Sequence, residues 1–330
     1  MTRPILVTGL PRSGTSWAGR MLVGSDRLVY VNEPLNPERG YRGVLDQPVT
    51  HRFQYICADN EEPWLRAFHD TVALRYRLLP ELRHGPNLPR LVKYGTSFTL
   101  GRILERRALL DDPFALLSAR WFAERLGCRV IILVRDPVAL AASWHRLGWT
   151  VYFHELLEQP LLARDLPYVE DLRPLVGSQD PLAKTAALWR FAHTYAAGLD
   201  HPDIRVVGYE DLARDPLFGF RDLYAWCGLR WTDLSAQRVH RATRALSTGR
   251  RTSRSPGRRT DHRASGPRAS GRGPHPSDAT GPGASDPRPF TWTGLSRTAY
   301  RPMDPARALT SYEGYLSPTD ITRVRALALR

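Results

Sequence analysis

A chain of 330 residues with 42% hydrophobic content is long enough for one large α/β domain or two small ones. No apolar run approaches the roughly 18–20 residues of a membrane-spanning helix, and the apolar stretch at 5–7 is too short for a signal peptide. No membrane span and a cytoplasmic location are therefore expected. Cys57, Cys128 and Cys227 are widely spaced and form neither a metal nor a disulfide pattern, so no metal is expected. The formal net charge of +14 points to an anionic partner, yet lysine occurs only at Lys93 and Lys184, and much of the arginine excess lies at 250–272. Arginine clusters of that kind are weakly specific, which disfavours nucleic acid as the partner.

In chain order, the first predicted elements are a strand at 4–8, a glycine-containing loop at 9–14 and a helix from 15 to 23. Four consecutive apolar or β-branched residues suit a strand buried on both faces, as in a parallel sheet. A second short strand is expected at 28–31, closed by Asn32-Glu-Pro34, and a weaker third at 90–93. Next come a helix at 116–126 and the clearest strand, Arg129–Val134, followed by Arg135-Asp-Pro137. An amphipathic helix at 182–199 leads to a strand at 204–207 and then to Tyr209-Glu-Asp-Leu212. Strands alternating with helices imply βαβ units and a parallel sheet. The pattern divides the chain into an α/β domain at 1–246, a segment at 247–290 and a C-terminal piece at 291–330. Glycine, proline, serine and arginine dominate the segment at 247–290, which is expected to be disordered. The piece at 291–330 regains aromatic residues and a short helix near 318–329.

Gly9-Leu-Pro-Arg-Ser-Gly14-Thr-Ser-Trp17 carries the first chemical signal. A glycine turn between a buried strand and a helix exposes successive backbone N–H groups. With the partial positive charge of the helix N-terminus, they form a phosphate cradle. The spacing from Gly9 to Gly14 matches the Walker A pattern, but Thr15 stands where that motif requires lysine. A metal–nucleoside triphosphate is then a poor fit, which counts against a P-loop kinase. Arg12 instead offers a planar, permanently charged fork for a sulfate or phosphate. A second signal lies at Arg135, at a strand end, with Pro137 opening a helix that carries Ser143. Arginine and serine so placed can converge on one phosphate.

Pro-Arg-Ser-Gly-Thr-Ser-Trp followed by Val-Arg-Asp-Pro-(five residues)-Ser-Trp resembles the sulfotransferases that use 3′-phosphoadenosine 5′-phosphosulfate (PAPS), over roughly residues 4–230. The arrangement around Arg146-Leu-Gly-Trp149 and the helix at 181–189 is similar to a bacterial branch of that family. The resemblance implies a three-layer, P-loop-like α/β fold with a central parallel sheet flanked by helices. It also implies that Arg12, Ser13, Gly14, Thr15 and Ser16, with Trp17 closing the motif, hold the 5′-phosphosulfate. Arg135 and Ser143 would hold the 3′-phosphate, and Tyr209 would lie against the adenine. The products would be 3′-phosphoadenosine 5′-phosphate (PAP) and a sulfated small molecule, glycan or lipid, the acceptor being a hydroxyl or amine. A protein of this fold that binds PAP or PAPS without turnover is the alternative.

Sulfuryl transfer resembles phosphoryl transfer: donor and acceptor must be positioned in line and charge on the leaving phosphate neutralised. Arg12 is the expected electrostatic stabiliser, and Glu33, just beyond a strand end, the expected base. His145 and His154 are the alternatives to Glu33. Many relatives carry lysine immediately before Asp-Pro-Phe, where this sequence has Asp111. A carboxylate about 4 Å from a sulfate costs about 1 kcal/mol in water and several times more when shielded, so either Asp111 points away and Lys93 or another cation substitutes, or donor turnover is impaired. Arg297 or Arg301 is a further candidate for the 3′-phosphate. The stretches 41–85 and 149–153 are expected to shape the acceptor pocket. The sequence implies nothing about oligomeric state.

Overall fold

The computed structural model describes residues 3–25, 27–38, 43–83, 88–243, 288–289, 304, 308–310 and 312–330. The first elements are β1 (Ile5–Gly9), α1 (Thr15–Leu22), β2 (Leu28–Asn32), α2 (Glu62–Val72), α3 (Leu78–Arg83) and α4 (Leu88–Ile103). They are followed by β3 (Arg107–Asp111), α5 (Ala119–Leu126), β4 (Arg129–Val134), α6 (Pro137–Leu147), the short β5 (Trp149–Thr150), α7 (His154–Leu157) and α8 (Pro160–Asp165). The remainder comprises α9 (Pro181–Ala197), β6 (Ile204–Gly208), α10 (Tyr209–Arg214), α11 (Pro216–Trp226), α12 (Asp233–Ala242), β7 (Arg288–Pro289) and α13 (Pro318–Ala328). The disorder expected at 247–290, the arginines at 250–272, and Arg297 and Arg301 lie outside the described residues, apart from β7, which pairs with β5.

Five strands form one parallel sheet in the order β2-β3-β1-β4-β6. The period-2 alternation of strands divides the core between its two faces. Ile5, Val7, Leu109, Ile131 and Leu133 meet Trp17, Met21 and Leu22 of α1 and Phe220 and Tyr224 of α11 on one face. Leu6, Ala108, Leu110, Val130 and Ile132 meet Phe68, Phe98, Phe122, Trp144 and Phe191 on the other. The result is the three-layer α/β arrangement that the alternation of elements implies. β1 is central, and the connections from β1 and β3 diverge to opposite sides of it, so its carboxyl end lies where such sheets bind ligands.

One strand differs from expectation. Residues 90–93 lie within α4, and the third strand is Arg107–Asp111. Tyr94, Phe98 and Gly101 recur at helical spacing on the buried side of α4. Gly101 lets the helix approach the sheet closely, since a Cβ there would sit 2.4 Å from Cγ2 of Val29. The strand was obscured because only Ala-Leu-Leu separates Arg107 from Asp111, a run too short to distinguish from a helix by periodicity.

The sheet depends on one backbone approach. Gly9, with φ of +146°, ends β1 where a Cβ would lie 2.3 Å from the carbonyl oxygen of Leu133. Neither partner is a side chain that can move aside. Gly9→Ala is expected to destabilise the fold by about 2–3 kcal/mol or more, measured by urea unfolding, through overpacking and an unfavourable φ.

Candidate functional site

Loop 9–14 leaves the carboxyl end of β1 and turns into α1 through Gly14, which is left-handed with φ of +96°. No side chain caps α1, and the first amides of a helix have no partner within it. A Cβ on Gly14 would fall 2.5 Å from Cδ2 of Tyr209, so the tyrosine ring fixes the turn from the far side. Ser13 N–H donates to the Leu10 carbonyl at 2.9 Å. The indole Nε1 of Trp144 donates to the Pro11 carbonyl at 2.9 Å, and Arg135 donates to the Arg12 carbonyl at 2.8 Å. Arg12 itself takes φ of +77°, a conformation that costs a non-glycine residue energy and concentrates at functional sites.

These bonds join the two sequence motifs. Arg12 Nε donates to Ser143 Oγ at 3.3 Å, so the serine of the second motif meets the arginine of the first. Asp136 caps α6 by accepting from Ala139 N–H at 2.8 Å, and Pro137 opens the helix that presents Ser143. Trp189 Nε1 holds the Arg135 carbonyl at 2.7 Å, and the Arg135 guanidinium lies 4.9 Å over the Tyr209 ring. Burial, followed by repulsion from Arg135 and Arg146, lowers Arg12 to about 10. Three guanidiniums are thus gathered around one loop, an arrangement suited to an anion.

Trp17 and Tyr209 are both buried, with ring centroids 5.7 Å apart in an edge-to-face contact. Trp17 also meets Phe220 at 5.0 Å, so it packs as a core residue behind the loop. Its indole N–H has no hydrogen-bond partner among the described residues. Glu33 lies just past β2, fully enclosed and with φ of +48°. Its backbone N–H donates to the Asp111 carbonyl at 2.8 Å, and its Oε2 accepts from Asn36 Nδ2 at 2.8 Å. β3 separates β2 from β1, which puts the ends carrying Glu33 and the loop roughly 10 Å apart at ordinary strand spacing. His145 and His154 are both exposed.

Asp111 does not open into the loop mouth. The strand alternation turns it towards α1, where its Cβ would lie 3.6 Å from a Cβ on Gly19, and it is entirely buried. Tyr30 Oη donates to its Oδ2. Burial raises its pKa, opposed by Tyr30 and by the hydroxyls of Ser16 and Thr15 at the start of α1. Asp112 caps the following turn, accepting from Phe114 N–H at 2.9 Å and from Leu35 N–H at 2.6 Å. It therefore ties the end of β3 to the Glu33 loop. Lys93 is not brought to this site. It projects from α4 into a groove of about 1190 Å³ shared with Leu28, Val29 and Tyr30, beside the lower half of the edge strand β2. Sequence reasoning quoted Trp144 only as the last residue of the second motif and gave Tyr30 no role, so the indole that holds the Pro11 carbonyl and the phenol that meets Asp111 come from the structure.

The loop, the left-handed Arg12 and the converging Ser143 and Arg135 stand at the carboxyl ends of β1 and β4 in an α/β protein of the P-loop-like kind. A model of the sulfotransferase family matches residues 4–233, and the chain belongs to that family. Human carbohydrate sulfotransferase 5 is 31% identical over 150 residues, covering 43% of this chain and 31% of the relative. The match therefore spans about a third of that protein's length. Among solved structures, the sulfotransferase domain from the curacin biosynthetic pathway covers 99% of this chain and 97% of its own, at 13% identity and a TM-score of 0.43. The sulfotransferase STF1 from Mycobacterium tuberculosis H37Rv covers 74% of this chain and 73% of its own, at 19% identity and a TM-score of 0.37.

The buried Asp111 carboxylate has a pH signature. Its folded-state pKa is raised, so the folded protein holds the proton more tightly than the unfolded chain. Wild-type stability then falls as pH rises from the ordinary aspartate range through the raised value. Asp111→Asn keeps an acceptor for Tyr30 without the charge. It is expected to be more stable than wild type at neutral pH, the gap closing in acid, when unfolding is followed across pH.

Proposed function

We propose that this sulfotransferase takes its sulfuryl group from PAPS and passes it to a hydroxyl or amine acceptor, releasing PAP. The observation that carries this reading is the meeting of Arg12 with Ser143 and of Arg135 with the Arg12 carbonyl, which merges both motifs into one cationic cradle. The residues present fit the nucleotide: Arg12, lowered by burial and then by Arg135 and Arg146, is a cation that a phosphate or sulfate would stabilise, and a buried indole donor stands beside Tyr209. PAPS supplies an activated sulfuryl group on a phosphate leaving group. Arg12, Ser13, Gly14, Thr15 and Ser16 would hold its 5′ end, and Arg135 and Ser143 the 3′-phosphate. Tyr209 would border the adenine from a largely enclosed position, with Trp17 packed behind the loop.

Arg12 neutralises charge growing on the leaving phosphate from a loop already fixed by Trp144 and Arg135, so little reorganisation accompanies reaction. Glu33 accepts the acceptor's proton. Its carboxylate is oriented by Asn36 and its backbone by Asp111, from a strand end two strands along the sheet from the loop. The segments 41–85 and 149–153 form the acceptor side, where Arg52 pairs with both Glu38 and Glu155. The acceptor is a small molecule, glycan or lipid alcohol, and the matched human relative makes a sugar hydroxyl the first class to test.

PAP at about 100 times its Kd should raise stability by roughly 2.7 kcal/mol, seen as a Tm increase of roughly 5–10 °C. Arg135→Ala should abolish that increase, and Mg-ATP should produce none. A folded wild type whose Tm ignores PAP would dismiss the nucleotide assignment. Glu33→Gln is expected to lower single-turnover transfer by about 10²–10⁴-fold while leaving PAP binding within a few-fold of wild type. Equal transfer rates would remove Glu33 as the base.

A further inference from the structure

Helix α4 is apolar on two sides. Tyr94, Phe98 and Gly101 form its buried face. Leu88, Val92, Leu100 and Ile103, at 68%, 56%, 49% and 68% exposure, occupy the opposite sector. At 100° per residue those four fall within about 120° of one another and away from the buried stripe. Leu78, Leu79 and Leu82 of the adjoining α3, and Leu104 just after α4, are also exposed. Large exposed hydrophobic side chains are thus concentrated on one helical pair, which marks an interaction surface.

Its charge identifies the partner. Leu88–Ile103 contains no aspartate or glutamate, and the exposed Lys93 and Arg102 flank the outer stripe. Arg90 is turned to the inner side by its ion pair with the buried Glu81. The groove beside α4 adds Arg20, Arg106, Arg238 and Arg241 and has no acidic residue in its lining. A second copy of the chain meeting this face across a two-fold axis would set cation against cation. A surface both apolar and anionic satisfies both features.

We propose that α4, with α3, docks this protein on an anionic lipid surface, the outer leucine and valine stripe entering the acyl boundary and the flanking cations meeting the headgroups. The helix is about 24 Å long, and no helix among the described residues is long and apolar enough to cross a membrane, so α4 lies in the interface plane. This face borders the lower half of β2, away from the loop at the carboxyl end of β1. Nucleotide binding is therefore independent of lipid docking.

The test is flotation of the full chain with vesicles of mixed phosphatidylglycerol and phosphatidylcholine, compared with pure phosphatidylcholine. Wild type should float with the mixed vesicles and not with the neutral ones, and binding should weaken with added salt. The double variant Val92→Glu/Leu100→Glu should lose at least about tenfold of that partitioning, with its PAP response and melting unchanged. Leu88→Ser/Ile103→Ser serves as a second, uncharged probe should the first not fold. Failure to float with either vesicle, equal flotation with both, or unaltered partitioning of the folded variants would overturn the proposal. So would a wild-type dimer that the variants disperse without any vesicle binding.

Discussion

The site depends on how the carbonyls of one loop are held. A glycine loop binds an anion only if its carbonyl oxygens are turned away from the ligand, and here two of them are tied by side chains from elsewhere. Trp144 on α6 takes the Pro11 carbonyl, and Arg135 takes that of Arg12. Each anchor is itself fixed: Trp144 is fully buried, and the Arg135 carbonyl is held by Trp189 of α9. The loop is thereby shaped before any ligand arrives. Fixing it also forces like charges together, since Arg12 and Arg135 cannot separate without releasing those bonds. Burial and repulsion lower Arg12, a cost that the anion of the proposed reaction would offset.

The Asp111–Asp112 pair organises the neighbouring strand end in a complementary way. Asp111 turns inward to Tyr30 beneath α1, whereas Asp112 spends its carboxylate on the backbone amides of Leu35 and Phe114. Between them they link β2, β3 and the first turn of α1. Glu33 is placed by the same link, because its amide rests on the Asp111 carbonyl. The aspartate that replaces a lysine of many relatives is thus withdrawn from the loop mouth and built into the frame beneath it.

Much of this was legible in the sequence, for physical reasons. The βαβ alternation followed from apolar runs bounded by glycine and proline, and both motifs stood on the elements expected of them. Ser143 could be named because a proline-started helix fixes its distance from Arg135. The third strand was not legible, since three apolar residues between charges carry no period. The direction of Asp111 was also hidden, because only the register of β3 beside β1 decides which face a residue takes. Lys93 followed the misplaced strand: on a helix it faces the sheet's edge, not its carboxyl end. Tyr30 left no signal, since a partner 81 residues away cannot be read from spacing.

The brace on α9 has a consequence for how the molecule is made. Leu316, Val324 and Ala328 enter the core at α13, which packs on α9 and α6. Arg190 donates to the Leu327 carbonyl, and Arg323 pairs with Asp180 at the start of α9. Arg146, one of the three guanidiniums, lies 5.6 Å over the Tyr315 ring. The helices that present Ser143 and the Trp189 anchor are therefore backed by residues more than a hundred positions further along the chain. During synthesis, a chain whose residues 315–328 are still inside the ribosome can pair its five strands but lacks this backing. The loop's direct anchors are thus all in place before the helix that backs them has emerged.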